Sequence, residues 1–147
     1  MPLRVGWYIR DRILLIEVRG VITDEEFINL GNHPALLQAM DDSPAPLVHY
    51  FFDVVDPNTK MPSLRVRGKT QIEKHKKDGW SMLINFGMNP LWRMTATIIA
   101  QVGQGRFRFQ DTHEDALFFM RRVDSSLPAQ RDLVTDWFIE SNWTVSV

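Results

Sequence analysis

The chain has 147 residues, a length that suits one domain with a single core. Hydrophobic residues make up 44% and charged residues 24%, and a net charge of −1 leaves no global field to draw nucleic acid or an anionic membrane. The lack of cysteine excludes disulfides, thiolate metal sites and cysteine nucleophiles, and fits a reducing, cytoplasmic setting.

No apolar run approaches the roughly 20 residues needed to span a bilayer, and the N-terminus lacks the apolar core of a signal peptide. In chain order, residues 7–10 and 13–18 are two apolar runs around Asp11-Arg12, a hairpin pattern. The second run is almost entirely apolar, so it is expected inside a sheet. Gly20 ends it. Thr23-Asp24-Glu25-Glu26 then opens a helix, with Thr23 as cap and Glu26 three residues on. Pro34 cannot continue that helix. A break is expected at Asn32-His33, with a restart at Pro34 that buries Leu36, Leu37 and Met40.

Residues 41–46 connect to a central strand, Leu47 to Val54. Its alternation places His49, Phe51 and Asp53 on one face and Val48, Tyr50 and Phe52 on the other. Both faces are mainly apolar, so helices are expected on both. Ser63 is then the expected N-cap of a helix running to Lys77. Leu64, Gly68, Ile72 and His75 form its inner stripe, and Gly79 its stop. A fourth strand covers residues 80–86. Asn89-Pro90 starts a further helix lined by Leu91, Met94, Thr95, Ile98 and Val102. Residues 106–109 alternate as a half-buried strand. Thr112 caps a last core helix that buries Ala116, Leu117 and Met120.

Pro128 marks a boundary. Beyond it, Leu133, Val134, Trp137 and Phe138 suggest an amphipathic helix, and residues 143–147 a short strand. An apolar stripe so near the end needs a cover, either the domain itself or a second copy in a homodimer. The expected architecture is α/β: a mixed, mainly parallel five-stranded sheet with helices packed on it over residues 1–127, and a C-terminal helical extension over 128–147.

The electrostatic feature that stands out is local. Residues 60–78 carry seven cations against Glu73 and Asp78, a net +5, which leaves −6 for the remainder. Ser63, Arg65, Arg67 and Lys69 would form a docking face for an acidic partner; the plainer reading is a solvated helix. Asp53 and Asp56 fall at the carboxyl end of the central strand, where open α/β sheets bind ligands. They suit acid–base work or a cation site, or they satisfy turns. Ser63 would accept a phosphate at a helix N-terminus, or simply cap it. The four histidines lack metal-ligand spacing, and Gly103-Gln104-Gly105 lacks the context of a dinucleotide loop. Phe107 and Phe109 alternate with arginines in a way that puts the aromatics inward, against a nucleic-acid platform.

The element order resembles the STAS superfamily, in particular its SpoIIAA-like branch of anti-sigma-factor antagonists. The residues that carry the likeness are Gly20 before Thr23-Asp24-Glu25-Glu26, Gly79-Trp80, Asn89-Pro90-Leu91-Trp92-Arg93, Arg106-Phe107-Arg108 and Ala116-Leu117. It spans about residues 5–127. The resemblance implies a non-enzymatic, cofactor-free domain that binds a partner protein or, in some members, a small nucleotide or lipid. The phosphorylated Asp-Ser-Ser/Thr-Gly motif of the antagonists is absent, and Ser63 is only its nearest positional counterpart.

The leading expectation is therefore an interaction module that docks an acidic partner. The alternative is a carrier of a small apolar ligand, with Met82, Phe86, Met88 and Trp92 as soft pocket residues. An enzyme built on Asp53 or Asp56 has no partner base in the pattern.

Overall fold

A computed structural model of the chain describes residues 3–18, 23–54, 70–72, 75–84, 107–128 and 137–141. Strands β1 (Leu3–Ile9) and β2 (Ile13–Val18) form the expected antiparallel hairpin. Its turn is closed by the Arg12 N–H on the Ile9 carbonyl at 3.0 Å. Asp11 adopts a positive φ of 64° there, a conformation that aspartate tolerates better than most residues.

Helix α1 (Asp24–Gly31) starts where the capping pattern places it: the Thr23 hydroxyl accepts the Glu26 N–H at 3.1 Å. The chain breaks at Asn32-His33 and restarts as α2 (Pro34–Asp42). His33 Nδ1 caps α2 by accepting the Ala35 N–H at 3.1 Å, and proline suits the first turn because its missing donor would be unpaired anyway.

Strands β3 (Val48–Val54) and β4 (Asp78–Ile84) follow, then β5 (Phe107–Gln110), helix α3 (His113–Val123) and β6 (Trp137–Ser141). They form one six-stranded sheet in the order β5-β4-β3-β2-β1-β6. The β2–β3, β3–β4 and β4–β5 pairs are parallel; β1 is antiparallel to both β2 and β6. The mixed, mainly parallel α/β architecture read from the sequence is present, widened by one strand.

The alternation of β3 divides the core in two. Val48, Tyr50 and Phe52 pack with Leu30, Leu36 and Met40 under α1 and α2. Phe51 packs on the other face with Met82, Ile84, Ala116 and Met120 under α3. Tyr50 and Phe51 are fully buried, each contributing on the order of 2–3 kcal/mol.

Two expectations are corrected. The helix predicted from Ser63 to Lys77 does not extend through its second half: Thr70–Ile72 is a bend and turn, Lys76-Lys77 is a turn, and Gly79 lies inside β4. The reason lies in where the backbone donors go. The Ile72 N–H bonds to the Gly31 carbonyl at 3.1 Å, and the Gln71 N–H to Asn32 Oδ1 at 2.7 Å. The α1–α2 junction takes donors that a helix would have kept. Secondly, Trp137 and Phe138 are not helical but open β6. A register shift between Val5 and Gly6 leaves Phe138 as an extra residue in the ladder. This bulge lets Trp137 pack on the α3 side and Ile139 on the α1–α2 side.

Candidate functional site

The strand at the centre of the α3 face carries polar groups at both of its ends, and each meets α3. At the carboxyl end of β3, Asp53 Oδ2 lies 2.7 Å from His113 Nε2, at the first residue of the helix. At the amino end, His49 Nε2 lies 3.0 Å from Oδ2 of Asp124, the C-cap of α3. Four residues of strand rise roughly 13 Å and an eleven-residue helix roughly 16 Å. The helix therefore runs back along the strand, pinned by two carboxylate–imidazole pairs of opposite polarity.

The two pairs differ in environment. Asp53 and His113 side chains are 11% and 27% exposed. The His113 ring stands edge-on to Tyr8, 5.5 Å between centroids, and to Phe51 at 6.1 Å. This is the end of the sheet where ligands of open α/β folds bind. Thr112 sets the helix start by accepting the Asp115 N–H at 3.1 Å.

The His49 ring, by contrast, is fully buried and both its nitrogens are engaged. Nδ1 accepts the Trp80 N–H at 2.9 Å. Arg12 Nη2 reaches the same Asp124 oxygen at 3.2 Å, and Arg12 also donates to the carbonyl and hydroxyl of Ser126. Burial pushes the Asp124 carboxyl up, but hydrogen bonds from Ser126 and His49 outweigh it and leave it at about 2.

Of the residues singled out in the sequence, Asp53 is buried at its expected strand end, paired with His113. Met82 is fully buried in the α3-side core. Ser63, Arg65, Arg67, Lys69, Asp56, Phe86, Met88 and Trp92 lie outside the described residues. Two members of the basic segment are described and engaged. Lys77 Nζ donates to the carbonyls of Met40 at 3.2 Å and Ser43, at the C-terminus of α2. His75 Nε2 lies 2.7 Å from Asp41 Oδ1. Lys76 is exposed.

His113 and Asp124 were not legible as partners. They pair with residues 60 and 75 positions away, and only Thr112-His113 carried a local signal, that of a helix start.

An apolar depression lies on the opposite face, between α1, α2 and the Thr70–Ile72 turn, lined by residues including Ile16, Phe27, Leu36, Tyr50 and Ile72. Its cavity volume is about 20 Å³, enough for one water-sized group and far below the size of a ligand pocket. No helix among the described residues is long and apolar enough to cross a membrane.

Among solved structures, the chain is similar to an uncharacterized protein of the DUF3478 family with a SpoIIAA-like fold from Shewanella loihica PV-4. The TM-score is 0.56 at 20% identity, over 80% of this chain and 92% of that one. No family model and no curated protein matches. The chain has a SpoIIAA-like fold.

Proposed function

We propose that this SpoIIAA-like domain is a non-enzymatic, cytoplasmic interaction module that docks a protein partner of acidic surface. The contact surface is the crossover between β3 and β4, with Ser63, Arg65, Arg67 and Lys69 as its contacts. The observation that carries the reading is the concentration of charge there: +5 over residues 60–78 in a chain of net −1. Such a patch gives orientation and on-rate against a carboxylate-rich surface. His75 and Lys77 are already used to tie the end of that crossover to α2. The cations assigned to the partner are therefore those earlier in the segment.

The test is charge reversal. Arg65→Glu with Lys69→Glu is expected to abolish affinity capture of the cellular partner while the thermal unfolding midpoint stays within a few degrees. Capture that persists in a folded double variant removes the proposal.

A further inference from the structure

Helix α3 buries one side and shows the other. Ala116 and Met120 are fully buried against the sheet, and Phe119 lays its ring edge-on to Trp80, 5.5 Å between centroids. Phe118 faces the opposite way. It is 67% exposed, the most open of the large hydrophobic side chains among the described residues. Two residues of helix separate it from Ala116 and from Met120, a rotation of about 200° from each. No small turn of α3 brings Phe118 inward without pulling both of them out.

The charges beside Phe118 are sorted by sign. Glu114 lies four residues before it and Arg122 four residues after, both exposed. A spacing of four stacks the three side chains along one ridge of the helix. Asp115 adds a second exposed acid at the first end, while Arg121 at the other is turned to the Pro128 carbonyl at 3.3 Å. Among the described residues, neither Glu114 nor Arg122 has a side-chain hydrogen bond or ion pair. The helix dipole favours acids first and arginines last, which accounts for the order of the charges but not for a phenylalanine set between them.

Such a ridge is its own complement. A two-fold axis beside Phe118 brings up a second copy of α3 running antiparallel. Phe118 then meets Phe118 of the second copy, and Glu114 meets Arg122 twice over, as an isologous contact requires. Ridges of spacing four align when two helices cross at about 50°, the commonest packing class. A parallel pair would set acid on acid and arginine on arginine, so the charges select the antiparallel one.

We propose that the outward face of α3 is a self-association surface, occupied by a second copy of this chain in an antiparallel two-fold dimer centred on Phe118 and keyed by Glu114–Arg122 pairs. One helix from each subunit makes a small contact, so the dimer belongs to the weak, reversible class. It uses none of the crossover residues assigned to the acidic partner and stands independently of that reading.

The test is sedimentation velocity of the full chain over about two decades of concentration. A monomer–dimer equilibrium is expected. Glu114→Arg leaves only arginines in each charged contact and Arg122→Glu only acids, so each alone is expected to abolish the dimer. Mixed in equal amounts, the two single variants are expected to restore it as a heterodimer, since each supplies the charge that the other lacks. The double variant E114R/R122E, with the signs exchanged, is expected to dimerise like the unmutated chain. Phe118→Ser is expected to remain monomeric with an unchanged unfolding midpoint. A monomer at every concentration of the unmutated chain overturns the proposal. So does a dimer that persists in Phe118→Ser or in either single variant, and so does a mixture of the single variants that stays monomeric.

Discussion

A methyl group at residue 79 would sit 2.5 Å from His49 Nδ1 and 2.7 Å from the Val48 carbonyl. Neither neighbour is free to move: one is ring-bonded at both nitrogens, the other is backbone. Gly79→Ala is therefore expected to cost about 1–3 kcal/mol, read as a lower urea midpoint. Sequence reasoning saw the same glycine as a helix stop. The residue type was informative, but what approaches it was not, because His49 lies thirty positions earlier and reaches it only through strand pairing. Asp124 gives a second measurable effect. Its carboxyl is near 4 in an unfolded chain and about 2 when folded. A lowered value stabilises the fold above pH 4; two units amount to roughly 2.6 kcal/mol at full strength, on the order of 1–2 kcal/mol once solvent screening of this partly exposed carboxylate is allowed for, and that contribution is lost as pH falls from 4 through 2. Asp124→Asn is expected to remove this acid-limb dependence from a denaturation series taken between pH 5 and 2.

At the level of elements, the boundaries that were legible are those made by short-range chemistry. Thr23, Thr112 and the Asn32-His33-Pro34 break each act within three residues, and each stands where the sequence puts it. The turn at residues 70–72 was not legible because its hydrogen bonds reach back to Gly31 and Asn32. Gly31 is the other half of that contact. A Cβ there would meet the Cβ and Cγ2 of buried Thr70 at 2.5 Å. Gly31→Ala is expected to push the turn off the α1–α2 junction and to raise amide exchange at Ile72, whose N–H bonds to Gly31. Unchanged protection at Ile72 would show that the turn accommodates the methyl. The tail was misread for a related reason. Aromatic residues favour strands as readily as they pattern on short helices, and only the unpaired side of β1 settles which applies.

Across the whole molecule, the sheet is continuous from β5 to β6, so residues 137–141 complete the edge beside β1 rather than standing apart from it. Ending the chain after Pro128 is expected to lower the unfolding midpoint and to promote self-association, because β1 would present an unpaired ladder with Leu3 and Val5 beside it. Size-exclusion chromatography of the shortened chain reads this directly, and a monodisperse monomer of unchanged midpoint would contradict it. The alternation of β3 was enough to predict two covered faces and the side on which His49 and Asp53 lie. Nothing in it named their partners. The polarity of the two pairs has a further effect on α3. Because the strand offers an imidazole at one end and a carboxylate at the other, and the helix offers the reverse, the match is keyed. Sliding the helix by a turn disengages both locks together, and reversing it sets acid against acid and base against base. The correct seating is thus selected by the penalty on the wrong ones, in a contact that grease alone would leave free to slip.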